Sequence, residues 1–218
     1  MARLKTVKDV KDFLCVAKHQ IDIAPRVDIV EVLDKAGSLA SFNSIQAILK
    51  RTKNITTLRL QFSFKPDRRI LPATLVFKNL TTLNVNIPHA TLAQFLAKHL
   101  DIQNLVLGGP CNLPICPLTG CQLPRLEDLV CLPGCVHALT SAGSPLQRLG
   151  VFHDTIQDSG FQTTQLLDLT RIPSSCILAT LHLDFDHTVT DLLTRIDAAA
   201  PGLRFLKLTE SPFSDRVR

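Results

Sequence analysis

The chain has 218 residues, of which 45% are hydrophobic and 20% charged, with a formal net charge of +5. That length and apolar share fit one large or two small folded domains and exclude a disordered chain, while no run approaches the roughly eighteen apolar residues of a membrane-spanning helix. The modest charge, the scatter of Lys and Arg and the lack of Trp and Tyr speak against a nucleic-acid partner, which would call for a dense basic stripe with stacking aromatics.

The N-terminal stretch MARLKTVKDVKDFLCV mixes Lys and Asp with apolar residues. It has neither the apolar core nor the small-residue cleavage site of a signal peptide, so the chain is expected inside the cell, cytoplasmic or nuclear, with no membrane partner. Val7, Val10, Phe13, Leu14 and Ala17 fall on one helical stripe, and residues 1–26 read as a helical lead-in. From Val27 onward a short pattern returns: an aliphatic residue, another three positions on, and a third two further. It runs through Val27, Val30 and Val32 (the weakest copy), then Ile55, Leu58 and Leu60, and then Leu80, Leu83 and Val85. It continues with Ile102, Leu105 and Leu107, then Leu126, Leu129 and Cys131, and then Leu146, Leu149 and Val151. Leu178, Leu181 and Leu183 and finally Leu203, Leu206 and Leu208 complete it.

A single triplet means little in so aliphatic a chain. The spacing carries the argument: successive first positions are 28, 25, 22, 24, 20, 32 and 25 residues apart, mostly within the 20 to 29 typical of leucine-rich repeats. Helical stripes lie between several triplets. Phe42, Ile45, Ile48 and Leu49 mark a helix over 41–51, and Leu92, Phe95, Leu96 and Leu100 one over 89–100. Val189, Leu192, Leu193 and Ile196 mark another over 187–199. Gly and Pro punctuate helix exits, as in SAGSPL before Leu146 and AAAPGL before Leu203.

The expected fold is therefore an α/β leucine-rich-repeat solenoid: a right-handed, curved parallel sheet on the concave face and helices on the convex face. One domain spans 1–218, with about eight irregular repeats over 27–211 and a tail over 212–218. The rival is a doubly wound α/β domain. Its strands would be nearly continuous in apolar residues, whereas here Thr57, Arg59 and Gln61 alternate with the apolar positions.

The lead-in VKDFLCVAKHQIDIAPRV and phrases such as NLTTLNV and GLRFLKL resemble the leucine-rich-repeat region of the divergent fungal F-box-type proteins. The resemblance covers nearly the whole chain. It implies a substrate-reading role in a ubiquitin ligase, with a Skp-type adaptor as partner. Two departures stand out. The Asn or Cys usually found three positions after the last apolar residue is replaced by Ser63, Pro88, Pro110, Gly134, Asp154, Asp186 and Ser211. No F-box is visible ahead of the repeats, and Leu203 to Leu208 reads as an exposed strand edge open to self-association.

Alternation along the strands places Arg59, Asn84, Val106, Val130, Leu132, Phe152, His182 and Asp184 on the concave face, as the expected partner-binding residues. Its ends are polar and its middle, with Val106, Val130, Leu132 and Phe152, is apolar. That cluster is either a partner site or a surface covered by the long loop from Gly108 to Leu123.

Five of seven cysteines lie between Cys111 and Cys135. Their spacing lacks the tight Cys-x2-Cys knuckle of most zinc sites, so no metal or other cofactor is expected; Cys111, Cys116, Cys121 and Cys135, with His137 nearby, are the weak zinc candidates. Cys131 takes a core position, and disulfides do not fit an odd count inside a cell. His153, Asp154, His182, Asp184, Asp186 and His187 gather near the ends of two predicted strands. A hydrolase or metal-dependent enzyme could use His153, His182, Asp184 and Asp186, but turn chemistry explains such residues as well and no nucleophile or phosphate loop accompanies them. The expected function is thus non-enzymatic: a protein–protein interaction scaffold, with the enzyme and a repeat fragment without a specific partner as alternatives. Asn54 and Asn79 open Asn-x-Thr triplets that read as polar leads into repeat strands.

Overall fold

A computed structural model describes residues 1–19, 22–34, 42–63, 70–111, 115–140, 144–152, 176–185 and 190–210. The chain is α/β. Among the described residues, nine strands form a single open sheet in which every pair is parallel and strand order follows chain order. They are β1 (Ala2–Leu4), β2 (Ile29–Asp34), β3 (Thr57–Phe62), β4 (Thr82–Val85) and β5 (Asn104–Leu107). The rest are β6 (Asp128–Cys131), β7 (Arg148–Val151), β8 (Thr180–Phe185) and β9 (Phe205–Glu210). Five α-helices of the described residues sit in the crossovers: α1 (Val7–His19), α2 (Phe42–Arg51), α3 (His89–Leu96), α4 (Pro133–Thr140) and α5 (Leu192–Ala199).

Chain-order pairing excludes the doubly wound arrangement, whose strand order reverses at a switch point. Among the described residues it also leaves the sheet one-sided. The inward residues of the strands and the apolar stripes of the helices, such as Ile45, Ile48 and Leu49 of α2 and Leu92, Phe95 and Leu96 of α3, belong to one continuous core. The outward residues of the strands face away from that core.

The aliphatic triplets become this core. From Val27 to Leu183 their side chains are buried, whereas Leu203, Leu206 and Leu208 are half-buried because β9, among the described residues, has a strand neighbour on one side. A backbone motif repeats in step with them. The carbonyls of Asp28, Thr56, Thr81, Gln103, Glu127, Gln147 and Ala179 each accept two successive N–H groups, from the residue just ahead of the next strand and from that strand's first residue, at 2.7 to 3.1 Å. These carbonyls lie one residue after the first triplet positions, so the step lengths read from the sequence are the stacking steps of the backbone.

Several local expectations need correction. Residues 1–26 are not only helical: β1 precedes α1 and pairs with β2, setting Arg3 opposite Glu31. The Thr6 hydroxyl and Asp9 carboxylate exchange bonds with each other's backbone N–H, the reciprocal cap that starts α1. Helix α3 stops at Leu96, so Leu100 is half-exposed, and Leu193 of α5 points outward rather than into the stripe. Val189 lies outside the described residues. Helix α4 carries no sequence expectation; it opens on Pro133, whose missing N–H costs nothing in a first turn. Among the described residues, no helix occupies the β3–β4 or β5–β6 crossover. The former is filled by Ile70, Leu71, Leu75 and Phe77, the latter by Leu118 and Leu123, all buried.

Candidate functional site

The central row of the outward face runs Arg3, Glu31, Arg59, Asn84, Val106, Val130, Gly150, His182 and Lys207, each directly opposite the next. One end is an ion-pair ladder. Glu31, 4% exposed, accepts from Arg3 Nε at 2.5 Å and from Arg59 Nη1 at 2.7 Å. Burial raises the pKa of that carboxyl, but the bond and charge of Arg3, followed by those of Arg59, outweigh it and hold Glu31 below its ordinary range.

Polar side chains continue to knit strand to strand. Gln61 donates to Asn84 at 2.5 Å, Asn104 donates to Thr82 at 3.3 Å, and Arg148 holds Asp128 through two bonds from its guanidinium. The Asn86 amide accepts from the Phe62 N–H at 2.9 Å and donates to the Phe62 carbonyl at 2.5 Å. It thereby closes backbone groups at the end of β3, a duty the sequence reading did not give it. Arg59 and Asn84 are therefore engaged with their own neighbours.

The apolar middle is different. Val106 and Val130 lie side by side and Phe152 follows just past the end of β7, whereas Leu132, just past β6, packs against the core; all four are half-buried. Gly150 makes room beside them, since a Cβ there would sit 3.1 Å from Val130 Cγ2. The described part of the Gly108 to Leu123 loop does not lie on this patch. It packs Leu118 and Leu123 into the core on the opposite side of the sheet, and Cys121 Sγ contacts the Ala93 carbonyl of α3 at 3.7 Å. Toward β9, the exposed His182 ring rests 5.6 Å from the Phe205 ring, while Asp184 is half-buried. His153, Asp154, Asp186 and His187 lie outside the described residues.

A second grouping lies on the core side. His89 Nδ1 and the sulfurs of Cys111, Cys116 and Cys135 all fall within 4.8 Å of one another, the one such set of three or more potential ligands among the described residues. His89 is the first residue of α3, Cys111 and Cys116 belong to the β5–β6 loop, and Cys135 sits in the first turn of α4. The imidazole Nδ1 lies 3.2 Å from Cys135 Sγ and 3.6 Å from Cys116 Sγ. His89 Nε2 has no hydrogen-bond partner among the described residues. Gly109 lets the loop reach this position: a Cβ there would stand 2.0 Å from the Ile87 carbonyl oxygen, so only a glycine can pass so close.

Crowding couples the thiols. Cys111 is drawn well below the usual thiol range by hydrogen bonds from Cys116 and Cys135, and Cys116 is pushed up to about 11 by its bond to Cys111. Cys135 is raised by the same partners, and Cys131, wholly buried beneath them, is raised by desolvation. Three of the four weak zinc candidates thus converge, but Cys121 does not join them, and His89 takes the place the sequence reading offered to Cys121 or His137. His137 is exposed on α4.

Among the described residues no helix is long and apolar enough to cross a membrane. In comparisons with known proteins, no family model, curated protein or solved structure matches the chain.

Proposed function

We propose that this chain is a leucine-rich-repeat solenoid that recognises a protein partner across its open sheet face, without catalysing a reaction. The observation that carries the reading is a sheet that is one-sided among the described residues, whose outward row sets half-buried Val106 and Val130 side by side at its centre, with half-buried Phe152 just past the end of β7, between polar, internally bonded flanks. A sheet face with no partner gains nothing from apolar side chains at its centre. The flanks suggest the partner's chemistry. Arg3 and Arg59 share the single carboxylate of Glu31, and Lys207 stands at the far end of the same row. An apolar anchor flanked by acidic groups complements that surface. The repeat steps of 20 to 32 residues and the triplet core support the leucine-rich-repeat assignment. By its resemblance to F-box-type proteins, substrate reading in a ubiquitin ligase is one form this role could take.

The test compares proteins captured from cell extract by the full chain, by Val130→Glu, by Phe152→Glu, and by Lys50→Glu on the exposed surface of α2. A partner retained by wild type and Lys50→Glu but weakened about tenfold or more (1.4 kcal/mol) by both face variants supports the reading. An identical set captured by all four proteins sinks it. A Skp-type adaptor in the face-dependent set would add the ubiquitin-ligase role.

A further inference from the structure

We propose that His89, Cys111, Cys116 and Cys135 bind one zinc ion in a closed site that clamps three successive crossovers together. The ligands come from the β4–β5, β5–β6 and β6–β7 returns, segments that no short sequence motif connects. Three thiolates and one imidazole are an established structural zinc set, and oxygen-preferring ions do not select it.

The distances suit the ion. Zinc–sulfur bonds of about 2.3 Å and zinc–nitrogen bonds of about 2.0 Å place tetrahedral ligand atoms about 3.5 to 3.8 Å apart. The observed 3.2 and 3.6 Å contacts bracket the shorter edges, and the widest separation of 4.8 Å needs to close by about 1 Å. Burial argues the same way. His89, Cys116 and Cys135 are almost fully buried and Cys111 is half-buried, so an imidazole nitrogen is turned toward sulfurs alone. Sulfur is a poor hydrogen-bond partner, and a buried polar ring needs a good one. An ion at the centre would satisfy the nitrogen and all three sulfurs together. All three cysteines bind as thiolates, any proton still held on sulfur passing to solvent, and neutral His89 gives its Nδ1 lone pair; no electron transfer is involved. With four protein ligands no position is left for water, so the site is structural rather than catalytic.

The surrounding cysteines define what the site is not. Cys131 fills a core triplet position, and Cys121 faces a backbone carbonyl of α3. The full chain is purified under reducing conditions with zinc supplied, and bound metal is measured by mass spectrometry. One zinc per chain is expected. Occupancy should fall by more than about tenfold in Cys135→Ser and in His89→Ala, and stay unchanged in Cys121→Ser and Cys15→Ser. Because ligand variants can misfold, cobalt is also loaded into the wild-type chain. Its visible spectrum should be that of tetrahedral cobalt with thiolate charge-transfer bands. A metal-free wild-type protein, an octahedral cobalt spectrum, a disulfide within the set, or full zinc retention in Cys135→Ser each overturns the proposal.

Discussion

Replacing Glu31 with Gln tests whether the ion-pair ladder stabilises the first three strands. The substitution keeps the shape and removes the charge that two guanidiniums share, through bonds of 2.5 and 2.7 Å. Hydrogen bonds to charged groups contribute about 1.5 to 3 kcal/mol each when well buried. Here the Arg3 and Arg59 side chains are about half exposed, at 47% and 48%, and can return to water, which cuts the net effect sharply. The expected loss is therefore about 1 to 2 kcal/mol in total, or roughly 2 to 8 °C in Tm for a domain of this size. Chemical denaturation followed by circular dichroism at pH 7 reads it directly. The pH dependence supplies an independent check. The folded pKa of Glu31 lies below its ordinary 4.5, so the stabilisation is present above that value and disappears as pH falls through the folded pKa. The wild-type advantage over Glu31→Gln should accordingly shrink below about pH 4.5. An unchanged or more stable Glu31→Gln protein at pH 7, or an advantage that persists at pH 2, would refute the reasoning.

His99 predicts a second pH effect: its Nδ1–H donates to the Phe95 carbonyl while Nε2 accepts the Phe77 N–H, and burial holds its pKa below the ordinary 6.5. The unfolded chain takes up the proton first, so stability should fall as pH drops from about 6.5 toward the folded pKa, and His99→Gln should flatten that slope in urea titrations at pH 7.5 and 5.5. Gly109→Ala should cost about 3 kcal/mol or more by thermal denaturation, because its Cβ cannot share space with the Ile87 carbonyl. Leu105→Ala, in the fully buried middle of the sheet, should cost about 2 to 5 kcal/mol in the same measurement.

The strands were legible in the sequence because stacking imposes one rule at every step. Leu58 and Leu60, Leu83 and Val85, and Leu105 and Leu107 must all enter one core, and the intervals between them are the stacking intervals themselves. The crossovers obey no such rule. Leu100 and Leu193 fit helical stripes by period, but α3 ends before the first and the second faces away from the core. Strand β1 escaped notice because three residues are too short to show alternation; its place is secured instead by Arg3 meeting Glu31 across 28 positions. The thiol cluster was half legible. The density of cysteines marked the loop, but nothing local could distinguish Cys121 from its neighbours or bring in His89, which precedes Cys111 by a whole strand. A buried histidine at a helix start, next to a cysteine-rich return, was the available signal.

Helix α3 shows why that histidine matters to the architecture. It is flanked by two crossovers with no helix among their described residues, one before β4 and one after β5. In a stacked array each unit is held only by its neighbours, so a contact between successive returns adds directly to the interface that holds them. A histidine ties α3 to each. His99, just past its C-terminal end, stacks on Phe95 with ring centres 4.0 Å apart and accepts the Phe77 N–H from the preceding return. His89, at its N-terminal end, meets the cysteines of the following one. Strands β5 and β6, joined by that second return, carry Val106 and Val130 at the centre of the proposed recognition face. The clamp thus acts from the core side on the strand pair whose register sets the spacing of the two valines. If it holds them, stripping metal from the wild-type chain should raise hydrogen exchange first in β5 and β6, ahead of the ion-paired strands β1 to β3. Equal loss of protection across the whole sheet would mean that the clamp supports the entire fold rather than the recognition surface in particular.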